Sequence, residues 1–286
     1  MANNTTINSE LFQNLLVQSQ FALYENSIAR AVTRVFDYPA NAGNVVQVPV
    51  WAGMASSKPG EGTAPSAVDT NTTSKTITLE EHVVYAQVTD FLRDSAQEDV
   101  IASMATQAGL ALAEGLDKEL LLGYFDSAAN LSSAGITAQV GAGGADNAVD
   151  QLMAAAAIIR GNKYQGPMFA VLHPKQAYGI KKALTATTSY QNATGVADAV
   201  MGQYFVGQIA GITILEHPNV NVDGSDDAWG AVFAPEAFGL AQRGGVNIAQ
   251  QRQEKERATD VVLSVVAGVG VLRPELVVSV IGDAAI

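Results

Sequence analysis

The sequence predicts an α+β fold. Three observations carry it: a long unbroken helical pattern at Asp94–Asp126, β-type runs before it and at the end of the chain, and a lobe of short mixed strands and helices over 145–250. In the helical stretch, Ser95 and Glu98 stand in the S-x-x-E relation of a capping box. Ile101, Met104, Ala105, Ala108, Leu112, Leu116 and Leu120 recur at three- and four-residue steps, so they share one face. Glu114 and Lys118 form an i, i+4 pair in the favourable order on another face. A helix this long in a chain this short serves as a spine.

Before the spine, residues 1–8 are small and polar and read as a tail. Glu10–Val35 reads as an arm of one helix or a pair of helices, with a patchy stripe of Leu11, Leu15, Leu16, Ser19, Ala22 and Leu23, closed by Tyr38-Pro39. Two β runs follow. Asn44–Trp51 alternates, with Val46, Val48 and Val50 on one face and Pro49 marking an edge strand. Lys75–Thr89 is longer. Between them Ala52–Ser74 is almost entirely small, polar or Gly/Pro residues, which cannot build a core. The pair therefore reads as an extended hairpin with a soft tip.

After the spine, Ser127–Gly144 reads as a linker. A helix capped by Asp146 or Asn147 runs to Arg160 and ends at Gly161. Met168–Leu172 is a short buried strand, and His173-Pro174 opens a helix over Lys175–Leu184. Tyr204–Leu215 gives two short strands bent at Gly211. Trp229–Ala234 is a strand, Pro235–Phe238 one helical turn, and Val246–Arg257 a polar strand. Asp260–Leu272 and Leu276–Ile281 close the chain, and both are expected in the sheet that covers the spine.

Composition excludes several functions. The 286 residues include no cysteine, so disulfides, thiolate nucleophiles and cysteine metal sites are ruled out. A formal net charge of −12 opposes tight phosphate binding. No apolar run reaches the roughly 20 residues of a membrane helix, and the N-terminus lacks the basic and apolar regions of a signal peptide. His82, His173 and His217 show no metal-ligand spacing; His173 and His217 read as turn residues before prolines, and His82 as lying on the solvated face of its strand. Neither a nucleophile elbow nor a phosphate loop is present. Glu80 and Glu81, adjacent in a strand, face opposite ways and cannot share a proton. No cofactor or metal is expected.

The order of parts is similar to that of the major capsid proteins of tailed bacteriophages with the Hong Kong 97-type fold. The likeness rests on Val171–Tyr178 (VLHPKQAY), Gly207–Ile214 (GQIAGITI), Ala234–Leu240 (APEAFGL), and Gly268–Glu275 (GVGVLRPE) with Leu276–Val280. It implies an N-terminal arm over 1–40, an extended hairpin loop over 41–90 and a peripheral domain with the spine helix over 91–144. An axial domain over 145–250 is inserted before the closing peripheral strands of 251–286.

The resemblance implies a non-enzymatic protein that self-assembles into pentamers and hexamers of an icosahedral shell around double-stranded phage DNA. The shell would form in the host cytoplasm, with scaffolding, portal and possible cement proteins as further partners and no membrane. Subunit contacts are expected from Leu11, Leu15, Arg30 and Arg34 of the arm and from Trp51, Lys58, Glu61 and Lys75 of the hairpin, with Arg30 and Arg34 the basic groups facing cargo. Lys58 and Lys75 flank the loop tip, but no acceptor motif for covalent crosslinking can be matched. The chain enters its arm directly from Met1, so a separate scaffolding protein is expected. An encapsulin-like compartment, an α/β enzyme and a surface adhesin are the alternatives.

Overall fold

The computed structural model describes residues 23, 27–39, 43–51, 56, 58, 60–62, 64, 67, 72–91, 100–147, 149–186 and 208–285. The spine is helix α2, Val100–Phe125, with 26 residues. At 1.5 Å per residue it is about 39 Å long. Ala105, Ala108, Leu112, Leu116 and Leu120 of the expected stripe are all buried, joined by Ala113, Leu121 and Phe125. Glu114 and Lys118 pair at 2.7 Å on its exposed side. The capping residues Ser95 and Glu98 lie outside the described residues.

A four-stranded sheet covers the spine in the order β1-β10-β11-β4. Its strands are β1 (Arg34–Asp37), β4 (Glu80–Thr89), β10 (Phe238–Gln253) and β11 (Ala258–Val271). The long β10–β11 ribbon is antiparallel, with its register shifted between Arg243 and Asn247. Leu263, Val265, Ala267 and Val269 alternate along β11 toward the core. The far end of the ribbon is held by polar contacts. Arg252 grips both Asp90 carboxylate oxygens at 2.7 and 2.6 Å, and Tyr85 donates to Asp260 Oδ1 at 3.0 Å.

A six-stranded sheet forms the second layer, in the order β5-β12-β9-β6-β8-β7. It comprises β5 (Gln139–Gly141), β6 (Met168–Leu172), β7 (Gln208–Ile209), β8 (Ile212–Glu216), β9 (Asp227–Phe233) and β12 (Val277–Asp283). Helices α4 (Val149–Gly161) and α5 (Pro174–Ala186) belong to this lobe. Buried Gln176 ties α5 to the sheet: its Nε2 donates to the Ala228 carbonyl at 2.7 Å, while its Oε1 accepts from His173 N–H at the helix start. That reach-back is the second half of a capping box. Where α2 ends, Phe125 meets Phe233 of β9 and Phe238 of β10, with ring centroids 6.3 and 5.7 Å away. One hydrophobic core therefore runs through both sheets and the spine.

The hairpin is present. β2 (Val45–Trp51) pairs antiparallel with β3 (Thr72–Thr78), from Val45↔Thr78 to Trp51↔Thr72. The run read as one strand to Thr89 breaks at Leu79, because Leu79 N–H turns to the Asn44 carbonyl and β4 then joins β11 instead.

Five other expectations are corrected. The arm helix does not continue to Val35: α1 (Ile28–Val32) stops, and β1 begins at Arg34, paired in parallel with Gly239–Gln242. Glu254–Arg257 is the turn joining β10 to β11, not strand. The stretch 127–144 is not bare linker but holds α3 (Ala128–Ser133), capped by the Ser127 hydroxyl, and β5. β12 does not join the sheet on the spine; it pairs with β9 and β5 in the six-stranded sheet. His82 is half-buried against the spine instead of lying on a solvated face, as described below.

Candidate assembly surfaces

The hairpin alternates as the sequence implied, and the two faces differ in kind. One face, with Val46, Val48, Val50 and Ile77, turns toward the body. The other carries Val45, Gln47, Pro49 and Trp51, opposite Thr78, Thr76, Ser74 and Thr72. That outward face holds no charged residue. Trp51 is 59 % exposed and Val45 48 % exposed, although large apolar side chains normally find cover. In a chain of net charge −12, an uncharged face is where two copies can meet without repulsion.

The eight expected contact residues divide. Leu11 and Leu15 lie outside the described residues. Trp51 projects from the outward face, and Lys58 and Glu61 are exposed beyond the hairpin strands. Lys75 does not flank the tip; it sits mid-strand on the body-facing side, opposite Val48, and is half-buried. Arg30 is half-buried and donates to Gln242 Oε1. Arg34 is exposed on β1, its guanidinium 5.2 Å from the Phe36 ring centroid. The two arginines therefore sit on different elements, since the chain changes from α1 to β1 between them.

Two internal sites hold these surfaces in place. The first is Asp117, on α2 and only 1 % exposed. Its carboxylate accepts from Ser27 Oγ–H at 3.0 Å, Ala29 N–H at 2.8 Å and Ile28 N–H at 3.2 Å. These are the unpaired groups at the start of α1, so the spine itself caps the arm. His217 Nδ1 accepts from Asn219 N–H, which leaves the ring proton on Nε2, 3.4 Å from Asp117 Oδ2. Ser, His and Asp are brought together here, but not as a nucleophilic triad. The serine donates to the carboxylate rather than to the imidazole, so nothing activates it. An open cleft of about 290 Å³ beside them is lined by Leu110, Glu114, His217 and Pro218 among others. Among the described residues no cluster of acids and histidines could hold a metal ion.

The second site joins the spine to two strands of the four-stranded sheet, β4 and β11. Glu119 on α2 accepts Val269 N–H at 2.8 Å and lies 3.1 Å from His82 Nε2. Tyr124, one turn on, donates to the Val269 carbonyl at 2.8 Å. Burial pushes the Tyr124 phenol up to about 12, so it stays a donor. His82 therefore faces the spine, and its pKa is raised, first by the Glu119 hydrogen bond. Gly115 lies beside the ring: a methyl there would be in ordinary contact with His82 Nδ1, at 3.4 Å. The sequence reading put Glu80 and Glu81 on opposite faces of their strand but did not show that the spine covers the face carrying His82. Glu119 and Asp117 left no sequence signal, because acids on a helix read as solvated.

The family model described as phage capsid protein matches residues 72–280, well over half the chain. The chain belongs to the phage capsid protein family. It is similar to a structure from Mycobacterium phage Che8, at 20 % identity over 84 % of this chain and 85 % of that one, with a TM-score of 0.66. The capsid of cyanophage P-SCSP1u matches at 17 % identity over 88 % and 87 %, with a TM-score of 0.67. The capsid of an empty GTA particle matches at 16 % identity over 90 % of each chain, with a TM-score of 0.66. No curated protein matches. This capsid protein has the Hong Kong 97-type fold and a structural rather than enzymatic role, in a virion shell built from repeated copies.

Proposed function

We propose that the chain closes into pentamers and hexamers that tile an icosahedral shell around packaged double-stranded phage DNA. The observation that carries the contact scheme is the uncharged outward face of the hairpin, which an adjacent copy would cover. Contacts of this heterologous kind close into rings when the rotation permits. Each can be weak, because many act together once geometry is satisfied. The arm, anchored at Asp117, would reach a second neighbour through Leu11 and Leu15. Scaffolding and portal proteins, and possible cement proteins, are the further partners, with assembly in the host cytoplasm. Few basic groups are offered to cargo, which fits loose, non-specific contact with DNA.

The parts group into an arm, a hairpin of β2 and β3, and a peripheral unit of spine, β4 and long ribbon. The axial unit starts near residue 145, and we assign β12 to it on its strand pairing.

The test replaces residues 52–71 by an Asn-Gly turn joining Trp51 to Thr72. Negative-stain microscopy of the wild-type protein, with absorbance at 260 and 280 nm on the same fraction, should show uniform polyhedral shells containing nucleic acid. The deletion should give a folded subunit that fails to form shells. Normal particles from the deletion would remove the hairpin's role, and shells filled with protein would favour an encapsulin-like compartment.

A further inference from the structure

The hairpin does not share the main core. Its base has a small cluster of its own, in which Val46, Ile77 and Leu79 pack against Ala241 and Leu272 of the body. Such satellite clusters mark a part that is attached rather than merged. Ile77 is the knob of this attachment, 1 % exposed.

Three glycines form the hole that receives it. A methyl at Gly239 would come 2.9 Å from Ile77 Cδ1, and one at Gly270 would come 2.6 Å from Ile77 Cγ1. At Gly268 it would run into the Thr78 carbonyl oxygen. None of the three has a positive φ. Glycine is therefore required there for space and not for backbone angle. The strand that carries two of them is fixed from its other side, because Glu119 and Tyr124 hold both backbone groups of Val269, the residue between Gly268 and Gly270.

We propose that this glycine socket, backed by Glu119 and Tyr124 of the spine, sets the angle at which the hairpin leaves the body, and so positions its outward face for the adjacent copy. The inference rests on the reading of the hairpin as an intersubunit contact. The socket residues are buried within the subunit, so they act by aiming the parts that meet a neighbour. A small tilt at the base becomes a large displacement at Trp51, and contacts that must be made simultaneously fail together.

The test is a cycle of full-length variants: Gly270→Ala, Ile77→Ala and the double variant, each scored for shell yield by negative stain and for subunit folding by circular-dichroism melting. Gly270→Ala should keep a cooperative melt and lower shell yield by about tenfold. Adding Ile77→Ala removes the Cγ1 that the new methyl meets, so the double variant should assemble better than Gly270→Ala alone. Wild-type yield from Gly270→Ala, or a double variant no better than the single, overturns the proposal.

Should Gly270→Ala fail to fold, Ile77→Val, which withdraws only the Cδ1 that faces Gly239, decides instead. Lowered yield or a broadened shell diameter supports the socket, and unchanged shells refute it. If the deletion of residues 52–71 also assembles normally, the hairpin reading itself has failed. If only the socket variants behave as wild type, the socket alone has.

Discussion

The Ser27 hydroxyl donates to Asp117 Oδ1 at 3.0 Å, across ninety residues of sequence. The same carboxylate takes two backbone N–H groups of α1. The start of the arm's helix is thus fastened to the middle of the spine by charge-assisted hydrogen bonds in a buried place, where such bonds are strongest.

Asp117→Ala strips three donors, two of them buried, of their acceptor. It should destabilise the subunit by about 2–3 kcal/mol, read as a shift in the urea midpoint. Trypsin should cut faster at Arg30 and Arg34. Asp117→Asn keeps one carbonyl acceptor and should lose less. Equal midpoints for Asp117→Ala and the wild type would contradict the anchor.

Phe125 is the node between spine, β9 and β10. Phe125→Ala should cost about 3–5 kcal/mol, the range for removing a fully buried ring. Thermal melting of the isolated subunit checks it; a loss below the range would mean that the two sheets are coupled elsewhere.

His82 introduces a pH dependence. Its pKa lies above the ordinary 6.5, raised by the Glu119 hydrogen bond and by the charges of Glu119 and Glu80, against the opposing effect of burial. The residue opposite on β11 is Val265, which carries no charge. A raised folded pKa means that the protonated pair stabilises fully below 6.5, and that this stability is lost as pH rises through the folded value. The stability gap between wild type and His82→Gln should therefore be largest at acid pH and shrink on going alkaline. A gap that stays constant with pH would show that the imidazolium is not part of the junction.

Much of this was legible in the sequence. The spine stripe from Ala105 to Leu120 and the alternation of Val46, Val48 and Val50 depend only on helical and strand periods, which local sequence carries. Composition alone marked Ala52–Ser74 as the connection of a hairpin, but Thr72–Ser74 belong to β3, and most of the rest lies outside the described residues.

What was not legible depends on partners far away in sequence. β1 forms because Gly239–Gln242 offers it a parallel ladder, which overrides the helical stripe before it. The apolar run of β12 fits either sheet by pattern, and only its pairing with β9 decides. The Ile77 socket could be suspected from G-V-G at 268–270, but a glycine needed for space and one needed for a turn look the same in sequence.

Trp51→Glu separates folding from assembly. The side chain is exposed, so the subunit's stability should change by less than about 0.5 kcal/mol. A carboxylate on the uncharged face adds like charge to every repeated contact, so shell yield should collapse. Intact shells from this variant would mean that the face is not an interface.

The most direct measurement is electron cryomicroscopy of assembled shells, resolving the outward hairpin face of Val45, Pro49 and Trp51. The account predicts that an adjacent copy covers this face in every subunit. Shells in which the face lies open to solvent would contradict it.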